Sequence, residues 1–167
     1  VYHRPELPIL NSISGEEEKW NKLYPLIVEK KCKVVVLLMD DQGIPKTMEE
    51  RITIAKRLFE RLTGGGISSE NIYFDPLVLS VAVEPDAGMT TLETIRSLRS
   101  NFPDSHIICG VSNVSMGLPG RRLINRTFLT MAICAGLDTL LIDVRDQVLL
   151  SSVYAGKVLI NQDSYCL

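Results

Sequence analysis

The chain has 167 residues, of which 46% are hydrophobic and 23% charged, with a formal net charge of -2 and a pI of about 5.7. That is enough for one domain with a substantial core, and a mixed, slightly acidic surface gives no electrostatic reason to bind nucleic acid or an anionic membrane. No apolar run is long enough to span a bilayer and no signal-peptide pattern opens the sequence; four widely spaced cysteines read as thiols of a reducing, cytosolic compartment, so a cytoplasmic protein is expected.

The first apolar run, residues 7–10, reads as a strand with its tip at Asn11. Ser14 is placed to cap the charged helix beginning "GEEEKWNKLY", which Pro25 should kink or restart. A second strand over 34–39 ends at Asp40. Thr47 and Glu50 then form a capping box ahead of Ile52, Ala55, Phe59 and Leu62, an apolar stripe at helical spacing. The glycine run "TGGGISS" at 63–69 follows this helix and precedes a strand. Phosphate-cradling loops have the opposite order, so it reads as a plain helix-ending loop.

The third strand, 72–74, ends at Asp75, and Thr91 can cap the helix carrying Leu92, Ile95 and Leu98. A fourth run, 107–111, breaks into "VSNVS", which presents Asn113 between Ser112 and Ser115. An apolar helix over 123–135 should end at Gly136. The last strand, 139–142, ends at Asp143, and a helix follows over 147–159.

Continuous apolar strands alternating with helices predict a parallel sheet covered on both faces. Strand tips at 11, 40, 75, 113 and 143 are separated by 29, 35, 38 and 30 residues. A barrel of eight βα units uses about 31 residues per unit, so five units are present. A doubly wound open sheet is the structural alternative.

Each tip carries a carboxylate or carboxamide. Asp and Asn are common there as caps and turn formers, which weakens any single case. Asp75 is more telling, because the following proline holds its backbone extended and projects the carboxylate from the strand end. One ionised acceptor and two amides suit a planar heterocycle with adjacent N–H donors. Asp75 can accept two parallel hydrogen bonds from a guanidine-like edge, and Asn11 and Asn113 can serve the remaining ring atoms.

Other chemistries lack their groups. His3 and His106 precede strands, at the end opposite the expected site, so no general base is placed there. Ser112 and Ser115 have no histidine in view, which argues against a hydrolytic triad. The cysteines Cys32, Cys109, Cys134 and Cys166 lie far apart, so reduced thiols and no protein-bound metal are expected.

The run "GVSNVSMGLPGRRLINRTFLTMAICAGLD", with "LNSIS", "DDQGIPKT" and "IYFDPLVL", resembles the pterin-binding methyltransferases. These include methyltetrahydrofolate:corrinoid/iron-sulfur protein methyltransferase and the folate domain of cobalamin-dependent methionine synthase. The resemblance runs from about Leu7 to the tail "VLINQDSYC". It implies a TIM barrel that moves the N5 methyl group between methyltetrahydrofolate and the cobalt of a corrinoid carried by a partner protein. By resemblance Asn113 is the catalytic amide near N5. Asn11 and Asp75 match pterin ligands, Arg121 falls near the bound folate, Ser112 joins the substrate set and Asp40 borders the pocket. A homodimer is implied for the full-length protein.

The family barrel has eight units, and this sequence matches from the fourth strand onward. About 90 residues are absent on the barrel arithmetic. The chain, which opens at Val1, is therefore expected to be a piece of a longer protein, inactive unless other strands complete it. Met116 stands where some relatives have a polar side chain. Two alternative functions stand beside this one. A dihydropteroate synthase-like enzyme is disfavoured because "DPLVLSVAVEPDAG" lacks a lysine. A non-catalytic fragment that docks a corrinoid protein is the other.

Overall fold

A computed structural model of the chain describes residues 7–163, so His3 and Cys166 lie outside the described residues. Five strands, β1 (Ile9–Gly15), β2 (Lys33–Asp40), β3 (Ile72–Asp75), β4 (His106–Cys109) and β5 (Thr139–Leu140), alternate with five α-helices. The helices are α1 (Glu17–Lys30), α2 (Met48–Gly64), α3 (Ala87–Asn101), α4 (Arg121–Ala135) and α5 (Gln147–Leu159). All neighbours pair in parallel and the strands lie in sequence order, β1-β2-β3-β4-β5.

Sequential order with crossovers of one hand places every helix on the same face. This is the arrangement of a barrel wall, and it removes the doubly wound alternative, whose strand order reverses midway. The main core lies between sheet and helices, where Val34, Val36, Leu38, Ile72, Phe74, Ile107 and Cys109 meet the buried faces of the helices. Phe59, Phe74 and Phe102 pack ring against ring at its centre. The sheet's other face carries a separate, small cluster of Val35, Tyr73 and Ile108 with Leu37 against it. The expected helical cover on both faces is thus replaced by cover on one, because apolar strands serve a barrel interior as well as a helix layer.

Several local expectations hold. Both hydrogen bonds of the Thr47/Glu50 capping box form. Gly136 ends α4 with φ 115°, a left-handed conformation open to glycine.

Others are corrected. β1 does not end at Asn11 but continues to Gly15, with Ile13, Ser14 and Gly15 buried. Small polar residues hid this extension; a Cβ at Gly15 would lie only 3.0 Å from the Asp40 Cβ, so the strands pair closely there and leave little room for a side chain. Ser14 does not cap α1; its hydroxyl donates to the Glu16 carboxylate at 2.6 Å, and Glu16 occupies the cap position. Pro25 sits inside a continuous α1. It is exposed, as is Asn21 one turn earlier, so the carbonyl left without a partner can face water. Thr91 lies buried within α3 rather than at its cap, donating to the Ala87 carbonyl at 2.8 Å. His106 opens β4, stacks on Tyr73 at 4.5 Å and approaches Asp138 at 3.2 Å, at the strands' N-terminal end.

Candidate functional site

Side-chain alternation decides which tip residues share a face. Val35 and Leu37 point to the helix-free face, and their register partners are Asn11 and Asp75 respectively. Asn11 and Asp75 therefore share that face. Asn11 sits two residues lower and two strands away, roughly 12 Å from Asp75 by sheet spacing.

Asp75 is half-buried at the end of β3, where the Leu77 amide donates to its Oδ1 at 2.9 Å. Burial pushes its carboxyl up to about 6, against the opposing pull of the Leu77 amide and the positive charge of Arg51. Arg51 rises from the buried side of α2, only 1% exposed. Its Nη1 donates to the Pro76 carbonyl at 2.7 Å and the Leu77 carbonyl at 3.3 Å, and its Nε to the Pro45 carbonyl at 3.2 Å. These bonds hold Leu77 at φ 62°, a conformation non-glycine residues seldom adopt. Beneath, Cys109 is fully buried, and burial together with the charge of Asp75 pushes its thiol far up, so it is no nucleophile.

We expect Arg51→Met to destabilise the fold by about 3 kcal/mol, because three carbonyls lose a charged donor. It should also raise the Asp75 carboxyl further, since the removed charge favours its ionised form. Denaturant unfolding and a pH titration of the variant measure the two effects.

Asn113 lies in a 3-10 turn, Val111–Ser115, that follows β4. Its side chain is exposed, and its Nδ2 lies 3.9 Å from where a Gly110 Cβ would stand. Strand alternation aims that position at the helix-free face, which puts the Asn113 amide above the same face as Asp75. The two loops are tied directly: the Val81 amide donates to the Val114 carbonyl at 3.0 Å, and the Ser80 hydroxyl donates to the Met116 carbonyl.

Arg121 braces the turn from the first residue of α4. Its Nε donates to the Ser115 hydroxyl at 3.1 Å and its Nη2 to the Ser112 carbonyl at 3.0 Å, while Ser115 donates to Asn125 Oδ1 at 2.6 Å. In this arrangement Arg121 holds the backbone that carries Asn113. Ser112 is exposed and faces a neighbouring cavity between β4 and β5.

Asp40 stands apart. Its position in β2 points to the helix side, where it pairs with Arg57 at 2.6 Å. Burial opposes its charge, yet the Arg57 hydrogen bond, the Gln42 amide and the Arg57 charge together hold its carboxyl below the ordinary value. It lines a cavity with Lys46 and Arg57 of about 440 Å³, away from Asp75. Among the described residues no group of three or more His, Cys, Asp or Glu is placed to hold a metal ion, and no helix is long and apolar enough to cross a membrane.

Asp75 at the end of β3, Asn113 in the turn after β4 and Asn11 within β1 thus present one carboxylate and two amides to one face of a parallel sheet. A sequence profile described as pterin binding enzyme matches residues 7–143. The chain belongs to the pterin-binding enzyme family.

Within this family it is similar to the methylcorrinoid:tetrahydrofolate methyltransferase of Eubacterium limosum, 30% identical over 160 residues, covering 95% of this chain and 59% of that protein. It is also similar to the methionine synthase of Mycobacterium tuberculosis (strain ATCC 25618 / H37Rv), 33% identical over 135 residues, 77% of this chain and 11% of that protein. The methionine synthase of Mycobacterium leprae (strain TN) is 30% identical over 146 residues, 80% of this chain and 12% of that protein. The chain therefore spans less than two thirds of the length of these pterin-binding relatives.

Sequence reasoning missed Arg51, Asn125 and the brace formed by Arg121. One signal for Arg51 was available: it lies three and seven residues before Ile54 and Leu58, on the buried side of α2. A cation in that position needs buried acceptors. Nothing in the sequence marks the Ser115–Asn125 bond, which depends on how α4 folds back over the turn.

Proposed function

We propose that the protein takes part in methyl transfer between N5 of a tetrahydrofolate and the cobalt of a corrinoid held by a partner protein. In this reading residues 7–163 form five of the eight units of a closed βα barrel, which works as a dimer in the cytoplasm. The observation that carries the reading is the half-buried Asp75 carboxylate beside the tethered Asn113 turn, in a chain of the pterin-binding family. The names of the relatives supply the methyl, folate and corrinoid chemistry.

Asp75 accepts from the 2-amino group and the adjacent ring N–H of the pterin, in the paired geometry that strengthens charge-assisted bonds. Asn11 reaches the ring from the edge strand. Asn113 lies against N5. When the methyl leaves N5 as a cation equivalent, the electron pair of the C–N bond stays on nitrogen, which must take up a proton or a hydrogen bond. A carboxamide cannot supply the proton, but its amide can donate to N5 as charge develops there, and the reverse transfer uses the same contacts. Arg121 keeps the turn in place, so the amide meets N5 without reorganising. The corrinoid cobalt is the other substrate, and the chain's task towards it is alignment and access.

The Asp75 titration gives a direct test. Its ionised form makes the paired contact, and its carboxyl in the free protein titrates near about 6. Affinity for methyltetrahydrofolate should therefore rise as pH climbs from 5 to 7 and level off above. A flat profile over that interval would remove Asp75 from the pterin contact. Absorbance or fluorescence titration of the folate reads it.

A further inference from the structure

The ladder between β3 and β4 is short. Its register joins Tyr73 to His106 and Phe74 to Ile107, and goes no further towards the carboxyl ends. Asp75 and Asn113 both lie beyond that last pair, so the β3–β4 ladder does not fix the distance between them. Above it, two hydrogen bonds join the segments. The Val81 amide donates to the Val114 carbonyl at 3.0 Å, and the Ser80 hydroxyl donates to the Met116 carbonyl. Arg121 also holds the Asn113 turn, but it fastens that turn to α4 and not to the loop after Asp75.

Ser80 organises its own loop as well. Its carbonyl accepts from the Val83 and Glu84 amides at 3.1 and 3.0 Å, and its hydroxyl accepts from the Ala82 amide at 3.2 Å. The single hydroxyl proton is thereby directed to Met116. On the other side, each carbonyl from Ser112 to Met116 has a donor. Ser112 accepts from Arg121, Asn113 from the Met116 amide at 3.1 Å, Val114 from Val81, Ser115 from the Leu118 amide at 3.0 Å and Met116 from Ser80. Val111 and Val114 are buried beneath the turn. The backbone is therefore held throughout, while the Asn113 amide makes no side-chain hydrogen bond among the described residues. A fixed backbone carrying a free polar group is a preorganised arrangement.

We propose that Ser80 is a positioning residue for methyl transfer, the side chain that aligns the Asn113 amide with a ring held on Asp75. The inference rests on the folate reading above and adds to it the group that ties ring binding to the chemistry. Of the two bonds across the loops, this is the one made by a side chain, so it depends on which residue stands at position 80. A ring anchored on β3 and an amide carried after β4 meet correctly only if the two loops keep their spacing. Misplacement by about 1 Å can lower a rate by about 100-fold. Removing one of two such bonds takes away no group that touches the ligand, so the loss appears in the rate and not in the affinity.

The test uses the full-length protein and measures methyltetrahydrofolate binding separately from single-turnover transfer to a corrinoid protein. In Ser80→Ala the rate should fall about tenfold, with the folate dissociation constant within about twofold of wild type. The pH dependence of affinity should not change, because Asp75 is untouched. Ser80→Thr retains a hydroxyl and should recover most of the rate. Ala82 and Met116 are exposed, so water can serve the groups that Ser80→Ala releases and the variant keeps the fold. A double-mutant cycle decides the route: in an Asn113→Ala background, Ser80→Ala should cost nothing further, since the group it aligns is gone. Losses that multiply in the double variant, an undiminished rate in Ser80→Ala, or an equal loss of affinity overturns the positioning role and leaves the folate reading standing. If the wild type binds no methyltetrahydrofolate or transfers no methyl group, the folate reading falls and takes this inference with it.

Discussion

Asp75→Asn is expected to stabilise the ligand-free protein at neutral pH while weakening methyltetrahydrofolate binding by about 100-fold. The two effects have one cause. The Asp75 carboxyl titrates at about 6 in the folded chain against an ordinary value of 3.8, because burial disfavours its charge. Between those values the native state binds more protons than the unfolded chain, so stability falls as pH rises through the interval. Above it, the ionised carboxylate costs on the order of 2 kcal/mol, reduced from the full shift because the residue is only half-buried. Asparagine removes the charge, and its Oδ1 can still accept from the Leu77 amide.

The unfolding free energy of Asp75→Asn should therefore exceed wild type at pH 7.5 and match it near pH 4, where the native wild-type carboxyl is already protonated. Folate affinity should move oppositely, since the amide cannot take both donors of the pterin edge. A variant that loses stability at pH 7.5, or keeps its folate affinity, would mean that Asp75 serves the fold and not a ligand. A carboxylate held at a stability deficit and relieved by its ligand is a familiar state for a binding group.

For Asn113→Ala the expected result is a split between rate and affinity. Methyl transfer should slow by about 100- to 1000-fold, while folate dissociation constants change by less than about fivefold. The amide is exposed in the ligand-free protein and makes no side-chain hydrogen bond among the described residues, so its removal leaves no buried partner behind. Its energy is realised when charge develops at N5, and a loss of that kind appears in the rate. Single-turnover transfer to a corrinoid protein, with folate binding measured separately, resolves the two. Equal losses in rate and affinity would make Asn113 a binding group. Arg121→Ala offers a contrast: it should lower the rate through a looser turn, with the pH profile of folate binding unchanged because Asp75 is untouched.

Much of the site was legible one residue at a time. The proline after Asp75 fixes an extended backbone at that position, and this local restriction operates before any tertiary contact forms. The Thr47/Glu50 capping box and the glycine after Ala135 likewise act through bonds within a few residues, and both are found in place. Expectations failed where a distant contact overrode local preference. Thr91 has the chemistry of a cap, but burial of Ala87 extends α3 by a turn and leaves Thr91 inside it. Asn11 has the look of a strand end, yet pairing with β2 carries the strand on to Gly15.

The sequence by itself determined the alternation of five strands and five helices, the parallel sheet, and the acid and amide chemistry at the strand ends, because these follow from local periodicity and side-chain type. Only the tertiary structure decided which of those groups face one another. Asp40 and Asp75 look alike as residues that end strands, but pleat parity turns Asp40 to Arg57 on the helix side and Asp75 to the opposite face. The reason is physical: a strand's side chains alternate faces, so the register set by pairing with its neighbours determines what each residue can touch.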